Sequence, residues 1–185
     1  MKPILDLLTE HEAIKLTLNI LDKICINIDQ TGKISNLKHL DQLVEFFIVF
    51  IDKCHHGKEE ELLFPALEAI GVQRDGGPIG VMLAEHQQGR GYIQKMNEAL
   101  SQYIEGDPEA AAKLVKNARA YITLLRQHIE KENNVLFPIG DNRLSEKKKA
   151  ELWEGFETIE TQKIGPGKHE EFHKMLEYLE SVYLK

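Results

Sequence analysis

The sequence predicts an all-α protein: an up-down four-helix bundle of two pseudo-repeated helical hairpins, with one or two further helices at the C-terminal end. Three observations predict it. Apolar residues recur at steps of three and four along most of the chain, the mark of amphipathic helices. Clusters of glycine, proline and small polar residues separate these runs. A motif, CHHGKEEELLFP at Cys54 to Pro65, returns in altered form as QHIEKENNVLFP at Gln127 to Pro138.

The first helix reads from residue 3 to 29, with Ile4, Leu7, Ile14, Leu18, Leu21, Cys25 and Ile28 on one stripe. The only member of that stripe that is not apolar is His11. Thr31-Gly32 and Ser35-Asn36 end it, Gly32 suiting a C-terminal cap. The second helix is expected over 36–69. His39, near its start, reads as part of a polar turn with no ligand role. Val44, Ile48, Ile51, His55, Glu59 and Leu62 form the inward stripe, so His55 and Glu59 face the core one turn apart. His56 falls instead on a mixed row with Glu45, Val49, Asp52, Glu60 and Leu63, which places it at the border of a site or in water. Pro65 is expected to kink this helix, because it lacks an N–H and crowds the carbonyl four residues back.

GVQRDGGPIG, residues 71–80, is a loop. It has no GxxxxGK[ST] and follows no strand, so it reads as a helix connection and not a phosphate cradle. The third helix, about 79–105, carries Ile79, Met82, His86, Ile93, Met96, Leu100 and Tyr103 on one face. Gly106 ends it, and Asp107 and Pro108 open the fourth as N-cap and first helical residue. The fourth carries Leu114, Ala118, Tyr121, Leu125, His128, Glu132, Val135 and Ile139 inward. A polar link at 141–143 leads to a shorter helix capped by Ser145, with Leu152, Trp153, Phe156 and Ile159. Gly165-Pro166-Gly167 precedes a last helix with Phe172, Leu176, Leu179 and Tyr183. The domain reading is a bundle over 1–142 and a C-terminal helical extension over 143–185 packed on it.

Composition narrows the function. A net charge of −7 argues against nucleic acid as a main partner, since phosphate binding needs a basic surface. No apolar run approaches the roughly 20 residues that span a bilayer, so no membrane role is expected. The start, MKPILDLLTEHEAIK, has acidic residues where a signal peptide would have an apolar core and a small-residue cleavage site. Cys25 and Cys54 are too few for a disulfide scaffold. The reading is a cytoplasmic protein. The helix from Ser145 to Glu160 offers either a surface for a homodimer or a cover for the bundle's end.

The halves repeat one another. Glu10-His11 is followed 44 residues after the histidine by His55, then Glu59 and LFP; Glu85-His86 is followed after 42 by His128, then Glu132 and LFP. Each hairpin thus delivers one histidine from its first helix and a His/Glu pair from its second. His11, His55, Glu59, His86, His128 and Glu132 supply six ligands to the core of a four-helix bundle, where metal sites are built from facing helices. That number suits two metal ions, each taking two imidazoles, with both carboxylates free to bridge. Imidazole and carboxylate without thiolate suit iron best and are compatible with manganese or zinc. His169 and His173, an i, i+4 pair near the core face of the last helix, and Arg90, Tyr92 and Tyr121 are further candidates to touch or support the site.

Glu10-His11, HHGKEEELLFP, Glu85-His86 and HIEKENNVLFP resemble the hemerythrin-like, His-His-Glu cation-binding family over residues 3–140. The resemblance implies an up-down four-helix bundle around a non-haem di-iron centre, oxo- or hydroxo-bridged, with His11, His55, Glu59, His86, His128 and Glu132 as ligands. It implies a small ligand, O2, NO or peroxide, handled by sensing, scavenging or storage. Oxygen-carrying members have a further histidine one turn after the third-helix one, where this chain has Arg90, and use five histidines with one Glu and one Asp. A set of four histidines and two glutamates looks closer to bacterial di-iron proteins associated with nitrosative stress and iron-sulfur cluster repair. His169 or His173 would be the source of a fifth nitrogen.

Two other classes are carried alongside. A ferritin-like di-iron oxidase calls for two Glu-x-x-His motifs, of which the chain has one, Glu170 to His173, outside the bundle. A helical interaction module would keep its histidines as hydrogen-bonded core residues only.

Overall fold

The computed structural model of the chain describes residues 2–185. It is an all-α helical bundle. The first bundle helix is α1 (Lys2–Thr31). The second is a continuous rod: α2 (Leu37–Phe46), two π-helical stretches (Phe47–His56 and Glu59–Leu63), then α3 (Phe64–Ala69). The third is α4 (Pro78–Ile104). The fourth is α5 (Ala110–Lys131), which passes through a π-helical turn (Glu132–Leu136) into α6 (Phe137–Arg143). Then come α7 (Glu146–Ile159), with a π-helical end (Glu160–Ile164), and α8 (Lys168–Tyr183). Helix α1 lies against α2 and α5, and α4 against α2 and α5, which closes the four-sided bundle.

The π turns follow from the LFP motif. Pro65 and Pro138 each sit in the first turn of an α-helix. The turn before each is widened: Phe64 N–H reaches Glu59 O, and Phe137 N–H reaches Glu132 O, both five residues back. A wider turn relieves the clash between a proline ring and the carbonyl four residues earlier, so the expected kink takes this form. The extra residue shifts the inward stripe by one place. Val135, expected inside, is 47% exposed, and Leu136 takes its position at 1%. In the other half Leu63 and Phe64 are buried and Leu62 is only half-buried.

The core is two apolar clusters with a polar layer between them. One gathers Ile14, Leu18, Phe46, Phe47, Ile93, Tyr121 and Leu125 among others. The other gathers Ile4, Leu7, Leu63, Phe64, Ile79, Met82, Leu136 and Phe137. The C-terminal helices complete both: Phe172, Leu176 and Leu179 of α8 join the first, and Leu152 and Phe156 of α7 join the second. The segment 143–185 therefore covers the α1 and α2 sides of the bundle with core side chains, and Phe156 is fully buried. Gly165 and Gly167, at φ +90° and +80°, make the left-handed turns that fold α8 back.

His39 departs from its expected place on a polar turn. It lies in the first turn of α2 and is 7% exposed. Asn36 caps α2, its Oδ1 accepting from the His39 N–H at 3.2 Å. The amide nitrogen is then left to donate to His39 Nε2, 3.1 Å away. This fixes a neutral ring with the proton on Nδ1, donated to the Tyr183 hydroxyl oxygen at 2.8 Å. Burial lowers the His39 pKa from 6.5, and Lys38 adds to the effect. The unfolded chain therefore binds more protons below about pH 6.5, and this lock between α2 and α8 is complete above that pH and lost as it falls. Replacing His39 with Leu is expected to lower the melting temperature most near about pH 7.5, with the gap to the unmodified protein closing toward about pH 5. A gap independent of pH would refute the tautomer assignment.

Candidate metal centre

Between the two apolar clusters the bundle turns five imidazoles and two carboxylates toward one another. His11 of α1 and His55 of the second rod bring their Nε2 atoms to 3.0 Å. His86 of α4 and His128 of α5 bring theirs to 3.1 Å. Glu59 spans the two pairs: one oxygen is 3.5 Å from His55 Nε2 and the other 3.4 Å from His86 Nε2. Glu132 spans them again, 3.3 Å from His11 Nε2 and 3.2 Å from His128 Nε2. All six are buried, both glutamates fully.

The outward nitrogen of each ring has a fixed acceptor. Nδ1 of His55 donates to Glu10 at 2.7 Å, of His86 to Glu60 at 2.7 Å, of His128 to Glu85 at 3.0 Å and of His11 to Asn133 at 2.7 Å. Each ring thus turns its Nε2 inward, and in each pair the two Nε2 atoms converge. Burial lowers the His128 pKa, but Glu132 and Glu85 outweigh it and raise it to about 9, so the layer draws positive charge to its centre, and a metal ion is a charge that all of these groups can share. With bonds of about 2.1 Å, two ligands at right angles on one ion lie about 3.0 Å apart, which is the separation found. The carboxylates point the same way: all four oxygens of Glu59 and Glu132 are buried without a hydrogen-bond donor. Burying such groups unpaired costs several kcal/mol each, so the donor set fits metal ions.

His56 joins this group. It is 3% exposed, its ring stacks on His86 with centroids 3.7 Å apart, and neither ring nitrogen has a hydrogen-bond partner. In an α-helix, neighbouring residues point about 100° apart, which is why the sequence puts His56 at the border. The π-helical stretch Phe47–His56 changes that register, and both histidines of the HH pair turn inward. Among the described residues, two groupings could hold an ion: His11, His55, Glu59 and Glu132, and His56, Glu59, His86 and His128.

The supporting groups repeat with the halves. Lys58 donates to Glu10 at 2.6 Å behind His55, and Lys131 donates to Glu85 behind His128. Lys58 is fully buried, also donates to Asp6 at 2.8 Å, and lies over the Phe156 ring. Arg90 bonds Glu60 and Asp52, both at 2.7 Å, so it fixes the carboxylate behind His86 and does not enter the centre. Glu10, Glu85, Glu60 and Asn133 stand next to ligand candidates in the sequence. Their adjacency to His11, His86, Glu59 and Glu132 was the available signal, since a residue beside an inward one can reach the neighbouring helix. His169 and His173 lie outside both groupings, on α8 over Phe50.

Electrostatics follow the same division. Burial raises the Glu10 pKa, but His55 and Lys58 outweigh it and hold the carboxyl at about 2. Burial pushes His55 down to about 4 against the pull of Glu10. Burial and the adjacent Glu132 carboxylate drive Glu59 well up, whereas His128 and His11 overcome burial at Glu132 and hold it well down. Burial raises the Cys54 and Cys25 thiols to about 12 each.

A buried set of imidazoles and carboxylates, donated by all four helices of an up-down bundle and backed by hydrogen-bonded acceptors, defines a bundle-type metal-binding protein. The hemerythrin HHE cation-binding domain matches residues 2–139, and the chain belongs to that family. Uncharacterized proteins of Mycobacterium tuberculosis and Mycobacterium bovis are 28% identical over 160 residues, 86% of this chain and 62% of theirs. The chain thus spans about three-fifths of the length of these relatives. The iron-sulfur cluster repair protein YtfE of Salmonella newport is 34% identical over 87 residues, 45% of this chain and 39% of its own. No solved structure matches the chain. Among the described residues, no helix is long and apolar enough to cross a membrane.

Lys58→Met should destabilise the protein by about 3–5 kcal/mol in urea unfolding, because it strands the buried Glu10 charge. Glu10→Gln in the same chain should recover most of that loss; an equal or larger loss would show that the pair is not coupled. Neither thiol should react with Ellman's reagent in the native protein at pH 8, and both should react in denaturant.

Proposed function

We propose that the chain is a non-haem di-iron protein that binds O2, NO or peroxide inside the bundle. The observation that carries this reading is the pair of buried carboxylates, each reaching from one imidazole pair to the other with no donor on any oxygen. On this reading His11 and His55 hold one ion, and His56, His86 and His128 the other. Glu59 and Glu132 are shared. Two iron ions there supply Lewis-acid and one-electron redox chemistry toward a small ligand.

The chain's own residues make the two positions unequal. The pair His11/His55 has no counterpart of His56, because the equivalent place after His128 is Ile129. An ion held by His11 and His55 would have fewer imidazole donors than one held by His56, His86 and His128, and the outside ligand would bind on that side. Glu10 and Lys58 fix the His55 ring there, and Asn133 fixes His11. The apolar clusters on both sides keep bulk water away. An iron-handling or stress-related role in the cytoplasm is supported by the family and by the likeness to the cluster repair protein, and remains part of the proposal.

Protein purified without a chelating column should contain about two irons per chain by mass spectrometry, with a visible absorption that changes on adding NO or peroxide. Replacing Glu59 and Glu132 together with Ala should leave the helical circular dichroism intact and cut the iron to one or none. One ion or no ion after anaerobic Fe(II) loading of the unmodified protein would remove this reading.

A further inference from the structure

We propose, on the di-iron reading above, that Lys58 is a positioning residue for the electron chemistry of the centre: its buried charge, sealed in by α7, raises the reduction potential of the ion beside His55. Lys58 is not among the ligand candidates and acts through Glu10. One oxygen of Glu10 accepts from His55 Nδ1 at 2.7 Å, and the other accepts from Lys58 Nζ at 2.6 Å. A carboxylate behind a ligating imidazole makes the ring a stronger donor and so favours iron(III). An ammonium on the same carboxylate weakens that pull, and its own positive charge favours the less positive iron(II). Both effects raise the potential.

The two halves make the same pairing differently. Lys131 donates to Glu85 behind His128 with 41% of its side chain exposed, so a glutamate in this place is paired without burying the lysine. Lys58 is wholly buried. Burying an ammonium costs several kcal/mol and the pairing does not require it. It does one thing that a surface lysine cannot: the charge is left unscreened by water, so its field reaches the centre. The cover comes from α7 and its π-helical end. The buried Phe156 ring has its centroid 5.6 Å from Nζ, and Glu160 reaches Nζ at 3.5 Å. Asp6 of α1 accepts from Nζ at 2.8 Å. Asp6 and Glu160 are partly exposed, so water screens their charges more than that of Lys58. The C-terminal extension contributes no side chain to either ligand grouping, yet through this seal it acts on the centre.

The test is a spectroelectrochemical titration of the iron-loaded full chain, in which electrons pass singly from dithionite through one-electron mediators and reduce iron(III) to iron(II). Lys58→Met should make the one-electron reduction about tenfold less favourable, a fall of about 59 mV. Lys131→Met should change it by about twofold or less. Because Lys58→Met strands the Glu10 charge, the comparison is repeated with Glu10→Gln in both chains, where no such charge is left. The double variant Glu10→Gln, Lys58→Met should again be about tenfold harder to reduce than Glu10→Gln alone. Equal potentials within both pairs, with about two irons in every chain, would overturn the role of Lys58 and leave the di-iron reading standing. A fall in Lys131→Met as large as in Lys58→Met would overturn the part given to burial. Fewer than two irons in the unmodified chain would remove the di-iron reading and the tuning with it.

Discussion

Glu59 and Glu132 are wholly buried in the middle of the bundle, close enough to repel one another, and no hydrogen-bond donor reaches any of their oxygens. A bundle of this size does not tolerate two such charges for packing reasons; apolar residues of similar volume would be more stable. The surrounding structure is arranged around that cost. Four imidazoles turn their Nε2 atoms toward the carboxylates, and every one of those rings is held by an outer acceptor. A buried lysine neutralises the deepest of these acceptors. The apolar clusters above and below then seal the layer.

The same constraint explains the irregular backbone. A strict α-helix sets His55 and His56 about 100° apart, and a proline six residues after each inward glutamate crowds the carbonyl four residues before it. The second rod answers both with π-helical stretches, and the fourth helix repeats the answer at Glu132–Leu136. The widened turns begin at the two carboxylates: Glu59 reaches His55 with one oxygen and His86 with the other, and Glu132 reaches both His11 and His128 with Oε2. The local backbone departure and the placement of the carboxylates therefore coincide.

The two halves repeat one frame, and small differences between them give it direction. Lys58 is buried whereas Lys131 is partly exposed; Glu60 is matched by Asn133; His56 is matched by Ile129. His56 of the first half joins His86 and His128 of the second, so one grouping has three rings and the other two. The C-terminal helices add to one side only, bringing Phe156 over Lys58 and Glu160 beside it. Under the proposed function, this inequality is what separates a ligand-binding ion from a supporting one.

The sequence by itself determined the helical class, the four-helix count and the inward placement of His11, His55, Glu59, His86, His128 and Glu132. Those positions lie on apolar stripes of period 3.6, and the repeat marks them twice. What it could not determine was anything set by a change of period or by the approach of distant segments. His56 and Leu136 turn inward only because the backbone is π-helical there, and Val135 turns out for the same reason. His39 looks like a turn residue until Tyr183 of α8 is packed against it. His169 and His173 read as possible core donors until the turns at Gly165 and Gly167 carry α8 along the outside of the bundle. Periodicity records which face of a regular helix is buried; where the helix stops being regular, or where the partner lies more than a hundred residues away, only the tertiary structure decides.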